Sequence, residues 1–203
     1  MIQPPERLPE RDAAIDAMLP HVPFDGWTVR SLRAGLASAG MPEDEATILF
    51  PGGAADMVAV FCDLADRRME AAAPSITETK LSDRVRALII LRLTMNRPHK
   101  EAIRRAMAVL ALPGNARTAA AITARTIDAI WHAAGDRSAD FSWYTKRAIL
   151  AAVYGATLLF WLHDTSDDDA DTKAFFGRRM RGVGRLLRAR GRVSSLFRRP
   201  RFA

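Results

Sequence analysis

An all-helical fold is what this sequence predicts, and three observations carry the prediction. Apolar residues recur at helical spacing in one stretch after another, as with Val29, Leu32 and Leu36, or Ile103, Ala106, Met107 and Leu110. Proline and glycine punctuate those stretches where helices would end. No segment alternates polar and apolar residues long enough to make a strand.

In chain order, residues 1–10 hold Pro4, Pro5 and Pro9 and read as a flexible arm. A first helix is expected from about Arg11 to Leu19, stopped by Pro20 and Pro23. Thr28 is a good N-cap for a second, which Gly40 ends, and Pro42 suits the first turn of a third, ended by Pro51. Short helices joined by a glycine-containing turn form a helix-turn-helix pattern. Residues 54–72 place Met57, Val58, Phe61, Leu64, Ala65 and Met69 on one side of a longer helix. After Pro74 a mostly buried helix runs to Pro98, and an amphipathic one follows to Pro113-Gly114. Residues 116–134 turn Ile122, Ile127, Ile130 and Trp131 to a core, and Arg125, Asp128 and His132 to another face.

The stretch from Asp128 to Asp164 organises the rest. Ala148 to Leu162 is apolar except for Tyr154 and Thr157, so this helix is expected to be enclosed on every side or to wall an apolar cavity. At 15 residues the run falls short of the roughly 20 that a bilayer span needs. Its entrance is polar and aromatic, with Asp136, Asp140, Trp143, Tyr144, Lys146 and Arg147, and Asp140 or Ser142 is placed to cap it. Aromatics beside charges are the usual content of a binding hot spot. Four regions are expected: the arm 1–10, a helix-turn-helix-like subdomain 11–73, a helical core 74–170 and a basic C-terminal region 171–203.

Charge is distributed unevenly. Of 203 residues, 49% are hydrophobic and 26% charged, and the formal net charge is +7. Ten arginines and no acidic residue lie from Arg178 onward; without those ten, residues 1–177 stand at −3. Within the basic region Phe176, Met180, Val183 and Leu187 form an apolar stripe with Arg178, Arg185 and Arg188 between them. That pattern fits a helix lying on an anionic membrane surface. Gly182, Gly184 and Gly191 weaken such a helix by about 1 kcal/mol each.

Several function classes are excluded or disfavoured. The expected recognition helix of the helix-turn-helix carries Glu43, Asp44 and Glu45 and no cation, which opposes contact with phosphates, so no nucleic acid is expected. His21, His99, His132 and His163 are too scattered for a local metal pair, and aspartates 164–171 lack the alternation, glycine and closing glutamate of a calcium loop. No nucleophile elbow or phosphate-binding glycine loop occurs, so neither an enzyme nor a cofactor is expected. The lone Cys62 reads as an inert thiol. No signal or transit segment opens the chain, and the compartment expected is a bacterial cytoplasm.

The segments FDGWT (24–28), LFPGG (49–53), AGDRSADFSWYTKRA (134–148) and LAAVYGAT (150–157) resemble the ubiquinone-biosynthesis lipid-binding family, the ninth of the numbered coenzyme Q proteins. The resemblance covers roughly residues 11–190 and implies the dimeric all-helical fold of TetR-type regulators without their DNA binding. It implies an accessory protein that binds an isoprenoid or phospholipid, associates peripherally with the inner membrane, and presents a polyprenyl quinone precursor to the di-iron demethoxyubiquinone hydroxylase. By position, Asp136, Asp140, Trp143, Tyr144 and Arg147 are the expected partner contacts. The expected lipid-lining residues are Leu88, Ile127, Trp131, Leu150, Tyr154 and Leu158. The alternative function is a TetR-type transcriptional regulator with an apolar effector.

Overall fold

The computed structural model describes residues 4–136 and 142–182, and at Ser142 and Trp143 only the backbone. It forms two compact units, Met1–Arg147 and Ala148–Ala203. Among the described residues there is no strand.

The first unit holds α1 (Pro9–Met18), α2 (Val22–Asp25), α3 (Val29–Ser38), α4 (Ala46–Leu49), α5 (Gly53–Ala72), α6 (Leu81–Met95), α7 (Lys100–Leu110) and α8 (Ala116–Ala134), with the opening turns of α9 (Ser142–Trp161). Thr28 begins α3 as expected: its Oγ1 accepts from the Ser31 N–H, while Ser31 Oγ accepts from the Thr28 N–H, both at 3.2 Å. Gly35 brings α3 against α1, since a Cβ there would lie 2.6 Å from Met18 backbone atoms. The turn before α3 is fixed by Trp27, which is buried and donates from Nε1 to the Ala102 carbonyl of α7 at 2.9 Å.

The third helix of the expected helix-turn-helix is much reduced. After Pro42 the chain makes a 3-10 turn, Glu43–Glu45, and then only the four residues of α4. Three carboxylates crowd the 3-10 turn, and Ile48 on α4 is 77% exposed.

Helices α5, α6 and α8 pack on one another around Met69, Leu88, Ile89, Ile127 and Ile130, all buried. A buried ion pair crosses this core: Arg92 Nε donates to Asp66 Oδ1 at 2.7 Å, and Thr126 Oγ1 donates to Asp66 Oδ2 at 2.8 Å. Helix α8 ends at Gly135, whose φ of 85° suits glycine. Arg84 covers that end, donating to the carbonyls of Ala134 and Ala133 at 3.0 and 3.3 Å. Within the N-terminal arm Arg7 is anchored, its guanidinium donating twice to Asp63 at 3.0 and 2.8 Å.

The second unit contains the rest of α9, a 3-10 turn at Asp167–Asp169, and α10 over residues 170–182. Leu150, Val153, Tyr154, Thr157, Trp161 and Phe176 are buried. Thr157 is accommodated because its hydroxyl donates to the Val153 carbonyl at 2.7 Å. Helix α9 is not enclosed on every side: Leu159 is 52% exposed, and Ala148 and Ala152 are exposed too. Asp164 prepares the start of α10. Its carboxylate accepts from the backbone N–H groups of Ser166 and Thr172, each at 2.8 Å, and from both hydroxyls.

Candidate functional site

On the first unit, α5 and α8 enclose a charged cleft of about 410 Å³. Helix periodicity builds both walls: Asp63 and Glu70 lie seven residues apart on α5, Asp128 and His132 four apart on α8. Arg7 closes one side, and Arg147, at the start of α9, closes another by pairing with Asp128. Burial pushes the Asp63 carboxyl up, but hydrogen bonds from Arg7 and Arg67 more than reverse this and hold it below the usual aspartate range. Burial holds Glu70 above the usual glutamate range, and no hydrogen bond or ion pair reaches it among the described residues. Glu70 and His132 also line an adjoining depression of about 400 Å³ that reaches Pro74 and Arg84.

On the second unit, an apolar groove of about 600 Å³ runs between α9 and α10. Ala152, Val153 and Ala156 form one wall and Phe175 the other, with Arg178 and Arg179 at the edge. Small side chains on α9 leave the space, and the Phe175 ring is held by stacking on Phe160 at 4.4 Å. The Arg179 guanidinium sits 5.0 Å over the same ring. A groove with an apolar floor and cations at its lip can hold an acyl or isoprenoid chain whose polar end carries negative charge.

The expected site residues distribute as follows. Leu88 and Ile127 are buried in the first unit and Leu150 and Tyr154 in the second; Trp131 and Leu158 are half-buried. The indole N–H of Trp131 is enclosed and makes no hydrogen bond among the described residues. The groove lining comes from positions beside the expected ones, none of the six being part of it. At the head of α9, Tyr144 is 73% exposed and Asp136 half-buried, while Arg147 is turned inward onto Asp128. Asp140 and the Trp143 side chain lie outside the described residues, as do Val183, Arg185, Leu187 and Arg188. Phe176 is fully buried, whereas Arg178 is exposed and Met180 half-buried. The inward position thus belongs to Phe176 and the groove-facing one to Phe175. Glu70 was invisible to pattern reading because its neighbours arrive from another helix; His132 had shown itself by sharing a face with Asp128.

Among the described residues no group of His, Cys, Asp or Glu could hold a metal ion, and no single helix is long and apolar enough to cross a membrane. Cys62 is half-buried, and desolvation pushes its thiol up to about 11, which keeps it protonated at neutral pH.

Reduced as it is, a helix-turn-helix-like trio followed by longer packed helices defines a TetR-like all-α protein. A TetR transcriptional regulator from Nitrosomonas europaea matches with a TM-score of 0.69 over 87% of this chain and 99% of that one. At 21% identity the likeness establishes the fold alone. The chain belongs to the COQ9 family, whose model matches residues 116–186. It is 31% identical over 175 residues to the human ubiquinone biosynthesis protein COQ9, mitochondrial, covering 82% of this chain and 55% of that one. The Drosophila melanogaster COQ9 is 34% identical over 84% of this chain and 54% of its own length. The Schizosaccharomyces pombe relative is 33% identical over 82% and 66%. The chain thus spans about half the length of the human and fly relatives, and the likeness supports a role in ubiquinone biosynthesis.

These names correct one expectation. The bacterial cytoplasm inferred from the opening residues is overturned by relatives named mitochondrial in human, rat, fly and fission yeast, which point to mitochondria. The chain spans only part of its relatives' length, so its opening residues do not decide the compartment.

Proposed function

We propose that this chain is an accessory lipid-binding protein of ubiquinone biosynthesis and not an enzyme. It takes a polyprenyl quinone precursor from the membrane and presents it to the di-iron demethoxyubiquinone hydroxylase. The observation that carries the lipid part is the α9–α10 groove, apolar inside and edged by Arg178 and Arg179. The arginines continue beyond the described residues and favour an anionic membrane surface, where each cation contributes about 1 kcal/mol. The exposed apolar face of α9 at Ala148, Ala152 and Leu159 suits a second copy of the chain, in keeping with a homodimer. A nucleic-acid role is disfavoured by the acidic 3-10 turn Glu43–Glu45 that precedes the single-turn α4.

Mass spectrometry of lipids extracted from the purified protein tests the first part. Isoprenoid or phospholipid is expected in stoichiometric amount; protein that carries none, and takes up none when isoprenoid is added, ends the lipid reading. The docking part is tested at Tyr144. Because its side chain is 73% exposed, Tyr144→Ala should melt as the wild type does. It should still weaken capture of the hydroxylase about thirtyfold, as truncating a hot-spot aromatic does. Normal melting with undiminished capture would remove the head of α9 from the interface.

A further inference from the structure

Residues 1–177 stand at −3, yet α2, α3 and α7 together reverse that sign. Their cations are Arg30 and Arg33 on α3 and Lys100, Arg104 and Arg105 on α7; their carboxylates are Asp25 and Glu101, which leaves the three helices at +3. Both carboxylates are engaged: Asp25 lies 3.5 Å from Arg30, and Glu101 pairs with Arg105 at 3.3 Å and also with Arg104. Among these charges stands Phe24, 82% exposed on α2. Helix α2 packs on both α3 and α7, and the Arg105 guanidinium comes within 3.8 Å of the place a Cβ on Gly26 would take. The ring is held where it is. Gly26 donates its N–H to the Val22 carbonyl at 2.9 Å, the Thr28 hydroxyl donates to the Asp25 carbonyl at 3.2 Å, and Trp27 anchors the turn on Ala102.

A lone exposed apolar ring is ordinary on a protein surface. A ring fixed among cations in excess is the composition of an interfacial anchor, whose apolar part enters the headgroup region while the cations meet lipid phosphates. The outward face of α7 continues the pattern, since Ala108, Ala111 and Leu112 are exposed beyond Arg104. The acidic turn Glu43–Glu45 follows the opposite end of α3, about 15 Å along its axis from Arg30, so the charge along this helix is polarised. We propose that Phe24, with Arg30, Arg104 and Arg105 around it, is a membrane contact of the first unit and takes the phosphate-bearing surface of an anionic bilayer. A protein partner would need a pocket matched to the ring, whereas a bilayer asks only for negative charge and apolar depth. This contact is separate from the arginines after residue 177 and from the α9–α10 groove.

Two measurements on the full chain test this, one of them blind to the tail. In a Cys62→Ser background, Phe24→Cys carries an environment-sensitive nitrobenzoxadiazole dye, with the exposed Thr123→Cys on α8 as the labelled control. Vesicles of phosphatidylglycerol and phosphatidylcholine in equal parts should brighten the dye at residue 24 and leave the control unchanged. Doxyl-labelled lipid should quench it, and pure phosphatidylcholine or high salt should abolish the response. In the otherwise native chain, Phe24→Asp should partition onto the anionic vesicles severalfold more weakly and melt as the wild type does, since the ring it removes is exposed. A chain that binds these vesicles while the dye at residue 24 stays in water would leave docking through the tail standing and overturn this contact, as an acidic protein for an occupant would require. Phe24→Asp partitioning at wild-type strength overturns it as well. If the wild-type chain binds no anionic vesicle, both membrane readings fall together.

Discussion

On the α5–α8 face, Arg7, Asp63 and Arg67 are tied together at 2.8–3.0 Å, and Asp66 is tied to Arg92 at 2.7 Å. In the α9–α10 groove the contacts are of another kind: Phe175 stacks on Phe160, small alanines line the opposite wall, and Arg178 and Arg179 stand at the edge. The two surfaces use the same helical spacing and differ in what they ask of an occupant. Paired charges have directional partners and fixed lengths, so the first surface is shaped in advance and discriminates by charge and reach. Dispersion contacts have no direction, so the second constrains an occupant mainly by volume.

The largest test of that contrast is Asp66→Ala. It leaves the Arg92 guanidinium, 7% exposed, buried without its carboxylate. Removing one member of a buried pair costs about 3–5 kcal/mol, which thermal melting should register as a large fall. Replacing both members, Asp66→Leu with Arg92→Met, should recover most of the loss, since the cost lies in the orphaned charge. If the single variant melted within about 0.5 kcal/mol of the wild type, as an ordinary surface change does, the claim that these pairs fix the first surface would be broken.

Phe175→Ala should act more gently on stability and more strongly on cargo. The side chain is half-buried, and its ring pair with Phe160 is worth about 0.5–1.5 kcal/mol beyond burial. The groove, however, loses one wall. Lipid recovered by extraction should fall severalfold while melting shifts by only a few degrees. Unchanged lipid content in a variant that melts normally would show that the groove is not where the cargo lies.

How far the sequence foretold these surfaces depends on the range of the interactions that make them. Thr28, Gly40 and Pro113 marked helix ends correctly because capping and turn chemistry are local, and residues 116–134 form a helix with the bounds that periodicity gave. The family was legible too, from segments such as AGDRSADFSWYTKRA. Pairing was not: Arg7 and Asp63 are 56 positions apart, and nothing in a linear pattern joins them. The phase of α10 was also hidden. The 3-10 turn at Asp167–Asp169, with Asp168 at φ 51°, resets the rotation of the helix that follows. A stripe counted from Phe176 therefore could not reveal that Phe176 faces inward and Phe175 the groove. The apolar run 148–162 failed as a sign of full enclosure for another reason: composition says how apolar a face is and not whether another element covers it.

The smallest effect expected is the most diagnostic for α10, because it depends on pH. Asp164 stands where that helix is organised, and its carboxylate accepts from Ser166 and Thr172 through both backbone and hydroxyl donors. Burial alone would push this carboxyl up; the hydrogen bonds prevail and hold it well below the ordinary aspartate value of 3.8. The sign follows. A carboxylate depressed in the folded state adds stability that is complete above its unfolded value and is lost as the pH falls toward the folded one. Asp164→Asn removes the charge and keeps the shape, so at pH 7 it should melt lower by about 1 kcal/mol, the usual worth of a capping side chain. The gap between variant and wild type should hold from pH 7 to about pH 5 and narrow steadily below pH 4. Melting both proteins at pH 7, 5 and 3 reads it out. A gap that stays constant down to pH 3 would mean that the carboxylate's charge does not hold the start of α10, and the arginines that follow on that helix would need another anchor.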